Sequence, residues 1–269
     1  MNQEQKRSEA SGSDPLLALR GFSKSFGAVE ALKEVDFEIR GGEVVGLVGD
    51  NGAGKSTLIK AIAGVQPADK GEARFEGRPV KLTSPQASTG LGIATIYQDL
   101  ALCENLDVVA NLFLGQEVSN GRPGILDETA MEQKSLELLG SLEVTTIRSV
   151  RIEVAGLSGG QRQAVAIARS LLGEPKLVLL DEPWAALGVV QTRQVIELIK
   201  RLRDRGLGVV VISHNLNDVF QVADRVAVLR LGRMAADLDT ATTSEQQVVS
   251  AITGAELGTE KRATEETPL

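Results

Sequence analysis

A glycine-rich segment, GDNGAGKST, follows an apolar run and precedes a helical pattern. Its spacing is that of the P-loop motif, G-x-x-x-x-G-K-S, which requires a strand before it and a helix after it. The glycines let successive N–H groups face a phosphate, Lys55 could reach the β and γ oxygens, and Ser56 could offer its hydroxyl to Mg²⁺. The segment therefore predicts a nucleoside triphosphate site. Its residues are Gly49, Asp50, Asn51, Gly52, Ala53, Gly54, Lys55, Ser56 and Thr57.

Two further segments place polar side chains directly after apolar runs. KLVLLDEP contains Asp181 and Glu182, and VVVISHN contains His214, the only histidine. Ligands of parallel sheets collect at the carboxyl ends of the strands, so these side chains should lie beside the P-loop. Asp181 suits Mg²⁺, Glu182 suits a general base for an attacking water, and His214 could touch a γ-phosphate. Without the P-loop, each would be interpreted as an ordinary cap or loop residue.

The stretch LSGGQRQAVAIARS places a serine, two glycines and a glutamine ahead of a strongly helical run. A turn followed by a helix cap would account for these residue types. An anion site would also account for them, because N–H groups and the positive end of the helix dipole meet at a helix N-terminus. The stretch alone leaves both interpretations open.

The elements that must position these residues alternate between short apolar runs and helical patterns. The runs are PLLALR, VDFEI, EVVGLV, ARFEG, IATIY, KLVLLD, LGVVVIS and RVAVLR. Apolar strands that alternate with helices indicate an α/β fold with a mainly parallel sheet, covered on both faces. The clearest helix is QTRQVIELIKRLRDRG, which Gly206 is placed to end. Its apolar face is Val195, Leu198, Ile199 and Leu202.

The segment from about Leu102 to Val154 has helical patterns without a convincing buried strand. We predict an all-helical subdomain, about residues 102–165, inserted into the α/β body. Residues 1–14 and 256–269 are polar and charged, so burial of apolar side chains cannot offset their ordering entropy. We therefore expect two disordered tails around one domain at residues 15–255.

Composition narrows the class of protein. The 269 residues, 42% of them hydrophobic, can bury a sizeable core. A net charge of −7 without a dense Lys/Arg run argues against a nucleic-acid partner. The single cysteine, Cys103, excludes an internal disulfide and fits a reducing compartment. No apolar run approaches the ~20 residues that span a bilayer, and the start lacks a signal-peptide core, so we expect the chain in the cytosol.

The motifs in combination resemble those of ATP-binding cassette (ABC) ATPases. The P-loop, Gln98 in TIYQDL, LSGGQ, LLDEP and SHN occur in the order and approximate spacing of that family, over about residues 15–255. The resemblance implies a P-loop NTPase core with a mainly parallel sheet, an N-terminal antiparallel β subdomain and the all-helical insert. DLALCENLDVVANLFLG and AALGVV are similar to the single-cassette ATPase subunits of bacterial simple-sugar importers.

By this resemblance the chain would bind ATP and Mg²⁺. Phe26 in KSFGAVEAL would stack on adenine, with an ordinary core aromatic residue as the alternative. Gln98 would contact Mg²⁺, as would Ser56 and Asp181, and it would link the site to the insert. The catalytic residues would be Glu182, His214 and Gln98.

The resemblance also implies partners. Two copies would pair head to tail, so that the LSGGQ segment of one subunit binds the γ-phosphate held by the P-loop of the other. The insert would grip a transmembrane permease, and an extracytoplasmic sugar-binding protein would take part indirectly. The chain would then be peripheral, on the cytoplasmic face of the cell membrane. The residues that act across the dimer would be Ser158, Gly159, Gly160 and Gln161.

Two residues depart from the family pattern. The family usually has Thr at the position of Trp184 and often Asp at that of Gly188, in a loop that crosses the dimer interface. AALG recurs in the simple-sugar group, so Gly188 is expected to affect communication between the two nucleotide sites of the dimer and not ATPase activity. Trp184, the only tryptophan, is expected to be a solvent-shielded packing residue at the subunit interface.

Three other functions stay open on the sequence alone. One is an importer of another solute, or an exporter. Another is a soluble cassette protein acting on DNA or ribosomes, but those proteins typically carry long coiled coils or two cassettes, and this chain carries neither pattern. The third is a non-hydrolysing regulatory module, which should lack the base or the histidine, whereas Glu182 and His214 are both present.

Overall fold

The computed structural model describes residues 14–121 and 125–255. The predicted tails fall outside these ranges, apart from Asp14. The strands are β1 (Leu17–Phe26), β2 (Val29–Ile39), β3 (Val44–Val48), β4 (Lys70–Phe75), β5 (Arg78–Val80), β6 (Ile93–Ile96), β7 (Leu177–Asp181), β8 (Gly208–Ile212), β9 (Arg225–Arg230) and β10 (Arg233–Asp239). The helices are α1 (Lys55–Ile62), α2 (Pro85–Gly90), α3 (Val108–Phe113), α4 (Glu128–Ser141), α5 (Gly159–Leu171), α6 (Val189–Asp204), α7 (Leu216–Phe220) and α8 (Glu245–Thr253).

The central sheet has the order β10-β9-β3-β8-β7-β6, and its strands are parallel except for β10 at one edge. Every residue of β3 and β8 is buried, as a strand covered on both faces requires. Neighbouring residues of β8 point into opposite cores: Val209 and Val211 join one, and Val210 and Ile212 join the other. The prediction of a mainly parallel sheet between two apolar layers is confirmed.

A second sheet, of order β2-β1-β4-β5, is antiparallel throughout. It packs over one face of the central sheet together with α1, in the core that contains Leu19, Phe37, Leu58 and Ile62. This sheet is the expected antiparallel β subdomain. Sequence analysis missed β5, which has three residues, and β10, whose residues are all partly or fully exposed. Neither strand has the continuous apolar run that marks a buried strand.

The opposite face of the central sheet is covered by α5 and α6, which share a core with α3 and α4. Between residues 102 and 158 the described residues form α3, α4 and a 3₁₀ turn at Val154–Gly156, with isolated bridges but no strand. Asp107 caps α3 by accepting a hydrogen bond from the Ala110 N–H at 2.7 Å. This part of the chain has the helical character expected of the insert, while the bounds at 102 and 165 remain a prediction.

The helix α6 matches its predicted face, since Val195, Leu198, Ile199 and Leu202 are all buried. It ends shortly before Gly206, whose φ of +87° lies in the left-handed region that glycine adopts at no steric cost. Within residues 14–121 and 125–255, no helix combines the length and the apolar character needed to cross a bilayer.

Candidate active site

The P-loop, residues 49–57, connects the end of β3 to the start of α1. Two of its glycines are required by the backbone. Gly49 has φ +149°, and a Cβ there would lie 2.1 Å from the Leu229 carbonyl oxygen. Gly54 has φ +108°, and a Cβ there would lie 2.6 Å from the Ala31 carbonyl oxygen. These two positions are the fixed glycines of the motif, so the motif here has a geometric cause.

Lys55 begins α1, and its ammonium donates hydrogen bonds to the carbonyl oxygens of Gly49 at 2.7 Å and Asp50 at 2.9 Å. Burial lowers the pKa of Lys55, and the carboxylates of Glu182, Asp50 and Asp181 oppose that shift. The cation therefore lies within the P-loop and close to the acids that follow β7.

A cavity of about 490 Å³, here called the nucleotide cavity, opens beside the P-loop. It brings together residues from β1, the P-loop, the end of β6 and the end of β7, which lie far apart in the sequence. Its volume is within the range usual for small-molecule sites. The lining residues are Phe26, Ala31, Asn51, Gly52, Gly54, Lys55, Ser56, Thr57, Gln98, Asp181, Glu182 and Ile212.

Asp181 is the last residue of β7, and burial together with the neighbouring Glu182 raises its pKa. A half-buried carboxylate beside a second one is a suitable place for a cation. No group of three or more His, Cys, Asp and Glu among the described residues could hold a metal ion. The donor set of Asp181, Ser56 and Gln98 still fits Mg²⁺, which binds through one or two carboxylates plus substrate phosphates and water.

Glu182 has left-handed backbone geometry, with φ +50°, and its N–H donates to the Ile212 carbonyl oxygen at 3.0 Å. Its carboxylate has two different environments. Oε1 lies 2.9 Å from Nδ1 of His214, whereas Oε2 is buried and has no hydrogen-bond partner in the part of the chain that the structure describes. Glu182 lines the nucleotide cavity, and a carboxylate there suits a base that accepts a proton from water.

His214 follows β8 and leaves most of its ring exposed. It lines a second cavity with Gly49, Asp50 and Asn51, and Asn51 also lines the nucleotide cavity. His214 is therefore beside the P-loop, as the sequence predicted, and in contact with Glu182.

The LSGGQ segment lies apart from these residues, since none of its members lines the nucleotide cavity. Ser158 caps α5 in a capping box with Gln161: Ser158 N–H donates to Gln161 Oε1 at 2.8 Å, and Gln161 N–H donates to Ser158 Oγ at 3.3 Å. A Cβ on Gly159 would lie 2.7 Å from Leu187, so this residue packs closely against the loop before α6. The segment is a helix cap within its own chain, and its role across a dimer stays a prediction.

Phe26 ends β1 with 45% of its surface exposed, and its ring lies 5.7 Å from the ammonium of Lys24. Because the ring lines the nucleotide cavity and is exposed, Phe26 is not a core aromatic residue. Stacking on adenine remains a prediction. Gln98 is also exposed and lines the same cavity.

Trp184 is only 5% exposed and belongs to the core of its own chain. Its indole N–H donates to Ser213 Oγ at 2.9 Å. The expectation of a solvent-shielded packing residue fits this burial, which its own chain supplies, and a place at the subunit interface stays a prediction. Gly188 is at the start of α6, where its N–H donates to Gln191 Oε1 at 3.2 Å.

Sequence analysis did not identify Ala31, Ile212, Tyr97 or Ser213 as residues of this region. Ala31 and Ile212 are apolar strand residues that line the cavity, and apolar side chains carry no chemical signal of a site. Burial and the nearby Asp181 raise the pKa of Tyr97. The adjacency of Ser213 to His214 was the one available signal for that residue.

Comparison with known proteins decides the family. The model of the ABC transporter family matches residues 32–185. The chain belongs to the ABC transporter family. It is 45% identical over 249 residues to the fructose import ATP-binding protein FrcA of Rhizobium meliloti, a match that covers 90% of this chain and 95% of that protein.

Two further ABC proteins extend the comparison. The chain is 46% identical over 243 residues to the xylose/arabinose import ATP-binding protein XylG of Sulfolobus acidocaldarius, covering 90% of this chain and 96% of that protein. Its fold is similar, with TM-score 0.68 and 26% identity, to a dimeric ATP-binding cassette in a post-hydrolysis state bound to ADP and Pi, covering 83% of this chain and 98% of that chain. The ABC ATPase fold that the motifs implied is confirmed, and as an ABC cassette this chain is an ATPase.

The exposed ring of Phe26 generates the first prediction. Phe26→Ala should weaken ATP binding by about 1–2 kcal/mol, because an aromatic contact and its apolar burial are lost. Phe26→Tyr keeps the aromatic face and should bind ATP like the wild type. Calorimetry measures both affinities. An unchanged ATP affinity for Phe26→Ala would show that the ring does not stack on adenine.

The two environments of the Glu182 carboxylate generate the second prediction. Glu182→Gln keeps the shape of the side chain and can still hydrogen-bond His214, but the amide cannot accept a proton. Phosphate release should therefore fall by roughly 10²- to 10⁴-fold, while ATP affinity stays near the wild-type value. A hydrolysis rate within threefold of the wild type would exclude Glu182 as the base.

Proposed function

We propose that this chain hydrolyses ATP to energise the import of a simple sugar through a separate membrane permease. The observation that carries the proposal is the nucleotide cavity, where the P-loop meets Gln98, Asp181 and Glu182. Two relatives that match almost end to end are a fructose and a xylose/arabinose import ATP-binding protein, which supports a sugar as the cargo.

The residues of the chain divide the chemistry between them. Backbone N–H groups of the P-loop and the Lys55 ammonium bind and orient the phosphates of ATP. The Glu182 carboxylate, which contacts His214 through Oε1, accepts a proton from the water that attacks the γ-phosphate. Ser56, Gln98 and Asp181 would hold Mg²⁺, which when bound neutralises charge on the phosphates. The products are ADP and phosphate.

A second copy of the chain would complete the site. The LSGGQ segment is at the N-terminus of α5, a 13-residue helix, and it lies outside the cavity of its own P-loop. Head-to-tail pairing would bring the segment of one subunit to the γ-phosphate bound by the other, where the helix dipole favours an anion. The dimeric cassette bound to ADP and Pi supports a dimer, and the head-to-tail arrangement is part of the proposal.

The remaining partners follow from the importer function. The insert would contact the permease on the cytoplasmic face of the membrane, and an extracytoplasmic sugar-binding protein would deliver the cargo. The contact between Glu182 and His214 supports a hydrolysing subunit over a regulatory module. Neither an exporter nor a protein acting on DNA or ribosomes is favoured by a feature of the site.

The third prediction tests the role of LSGGQ across the dimer. Glu182→Gln should retain ATP and therefore show ATP-dependent dimerisation by light scattering, whereas ADP, without a γ-phosphate, should not support it. Adding Ser158→Arg places a bulky side chain where the opposing phosphate must approach. The double variant should bind ATP and stay monomeric.

A matched control separates this effect from the loss of the helix cap. Ser244→Arg in the Glu182→Gln background makes the same substitution at the exposed serine of an equivalent capping box, at the start of α8, and this variant should still dimerise. Melting temperatures establish that both double variants are folded. An ATP-dependent dimer that survives Ser158→Arg would mean that the segment is only a helix cap.

The fourth prediction tests import and the role of the insert together. The permease that co-purifies with the chain is reconstituted in vesicles, and ATP-driven uptake of labelled fructose, xylose, arabinose and ribose is measured. The wild type should transport one of these sugars, and Glu182→Gln should abolish that transport. ATP hydrolysis without uptake of any of these sugars would argue for another cargo.

In the same vesicles, Glu104→Lys should impair uptake while leaving ATP affinity unchanged. Glu104 is an exposed residue of the insert whose ion pair with Arg162 is also exposed, so the change costs little stability. Asp107 is a poorer target, because it caps α3. The matched charge reversal Glu72→Lys lies on the antiparallel sheet and should transport normally. Normal uptake by Glu104→Lys would count against permease contact near that residue.

A further inference from the structure

The only tryptophan of the chain connects the two loops that carry the catalytic side chains. Trp184 lies two residues after Glu182, and Ser213 directly precedes His214. The indole N–H of Trp184 donates to Ser213 Oγ at 2.9 Å, and both residues are buried. A buried N–H group requires a partner, so this hydrogen bond fixes the separation of the two loops.

Three other hydrogen bonds act with it. The Glu182 N–H donates to the Ile212 carbonyl oxygen at 3.0 Å, and Glu182 Oε1 lies 2.9 Å from His214 Nδ1. The Asn215 N–H donates to Ser213 Oγ at 3.0 Å, so the serine hydroxyl also shapes the backbone on the far side of the histidine. The backbone around His214 is therefore held through Ser213.

The backbone of Glu182 needs such support. Its φ of +50° is in a region that side-chain-bearing residues rarely adopt, and it persists only where surrounding contacts determine it. The next turn holds one end of the loop, since the Ala185 N–H donates to the Glu182 carbonyl oxygen at 3.1 Å. Trp184 lies inside that turn, and its planar ring is packed into the core.

We propose that Trp184 is a positioning residue, whose hydrogen bond to Ser213 holds the Glu182 carboxylate against His214. Trp184 does not line the nucleotide cavity, so it acts through these two residues and not by touching ATP. This positioning role concerns the same site as the proposed function, and its effect on hydrolysis rests on that function. Its effect on the contact between Glu182 and His214 is a property of the fold and is measurable without turnover.

The test uses Trp184→Phe, which keeps a buried aromatic ring and loses the N–H donor, and Ser213→Ala, which loses the acceptor. Each should lower kcat by roughly 5- to 50-fold with little change in KM for ATP, since a small misplacement of a catalytic group has effects of this size. The double variant should be no slower than the slower single variant, because both changes remove the hydrogen bond between Trp184 and Ser213, and only Ser213→Ala also removes the one from Asn215. The control is Phe37→Leu, a change of a buried residue near the C-terminal end of β2. It should lower the melting temperature and leave kcat unchanged.

Magnetic resonance supplies the readout that does not depend on turnover. The full chain has one tryptophan and one histidine, so labelled samples give one indole N–H signal and one set of imidazole signals. In the wild type the indole N–H should be protected from exchange, and Ser213→Ala should abolish that protection. The imidazole signals should move in Trp184→Phe toward their positions in Glu182→Ala, which has no side-chain group to contact His214, and they should not move in Phe37→Leu.

The outcomes separate the two proposals. If the wild type does not hydrolyse ATP, the proposed function fails, and the imidazole signals still decide whether Trp184 holds the contact. If the wild type hydrolyses ATP but Trp184→Phe keeps a wild-type kcat and wild-type imidazole signals, the positioning role is overturned and the proposed function stands. Additive losses in the double variant would also overturn it, because the two side chains would then act independently.

Discussion

The site depends on the parallel pairing of three adjacent strands, β3, β8 and β7. Ile212 lies opposite Leu47 on one side and Asp181 on the other, so the carboxyl ends of these strands reach the same edge of the sheet. The P-loop, Glu182 and His214 each begin within two residues of such an end. Segments that are far apart in the sequence therefore meet because of strand register, and a slip in register would separate the P-loop from the candidate catalytic side chains Glu182 and His214.

Sequence reasoning succeeded where chemistry and pattern coincide. The P-loop, the acids after β7 and His214 each follow a continuous apolar run, and such runs identify buried parallel strands together with the edge at which ligands bind. It failed at β10, whose residues are partly or fully exposed, and it could not establish that the ring of Trp184 is buried by its own chain, because residue type does not reveal which chain buries a ring. Those outcomes depend on three-dimensional packing, which no local pattern of residues specifies.

A helix cap and an anion site at the LSGGQ segment are compatible interpretations. The capping box accounts for the N–H groups of Ser158 and Gln161, and it makes no use of those of Gly159 and Gly160. Capping also orders the first turn of α5, so that the remaining N–H groups and the dipole point in a defined direction. The residue types that cap the helix therefore also prepare it to bind an anion supplied from outside the chain.

The charges around the P-loop do not favour a triphosphate by themselves. Glu182, Asp50 and Asp181 are all close enough to Lys55 to act on its pKa, and burial shifts that pKa in the opposite direction. Lys60 also acts on Asp181, so two ammoniums face three carboxylates, and the net charge of the site does not favour an anion. We therefore expect triphosphate binding to depend on the P-loop N–H groups and on a cation held near Asp181. The N–H groups are neutral dipoles, so the carboxylates do not neutralise them. The candidate catalytic acids thus also give a physical reason for the proposed roles of backbone amides and Mg²⁺ at this site.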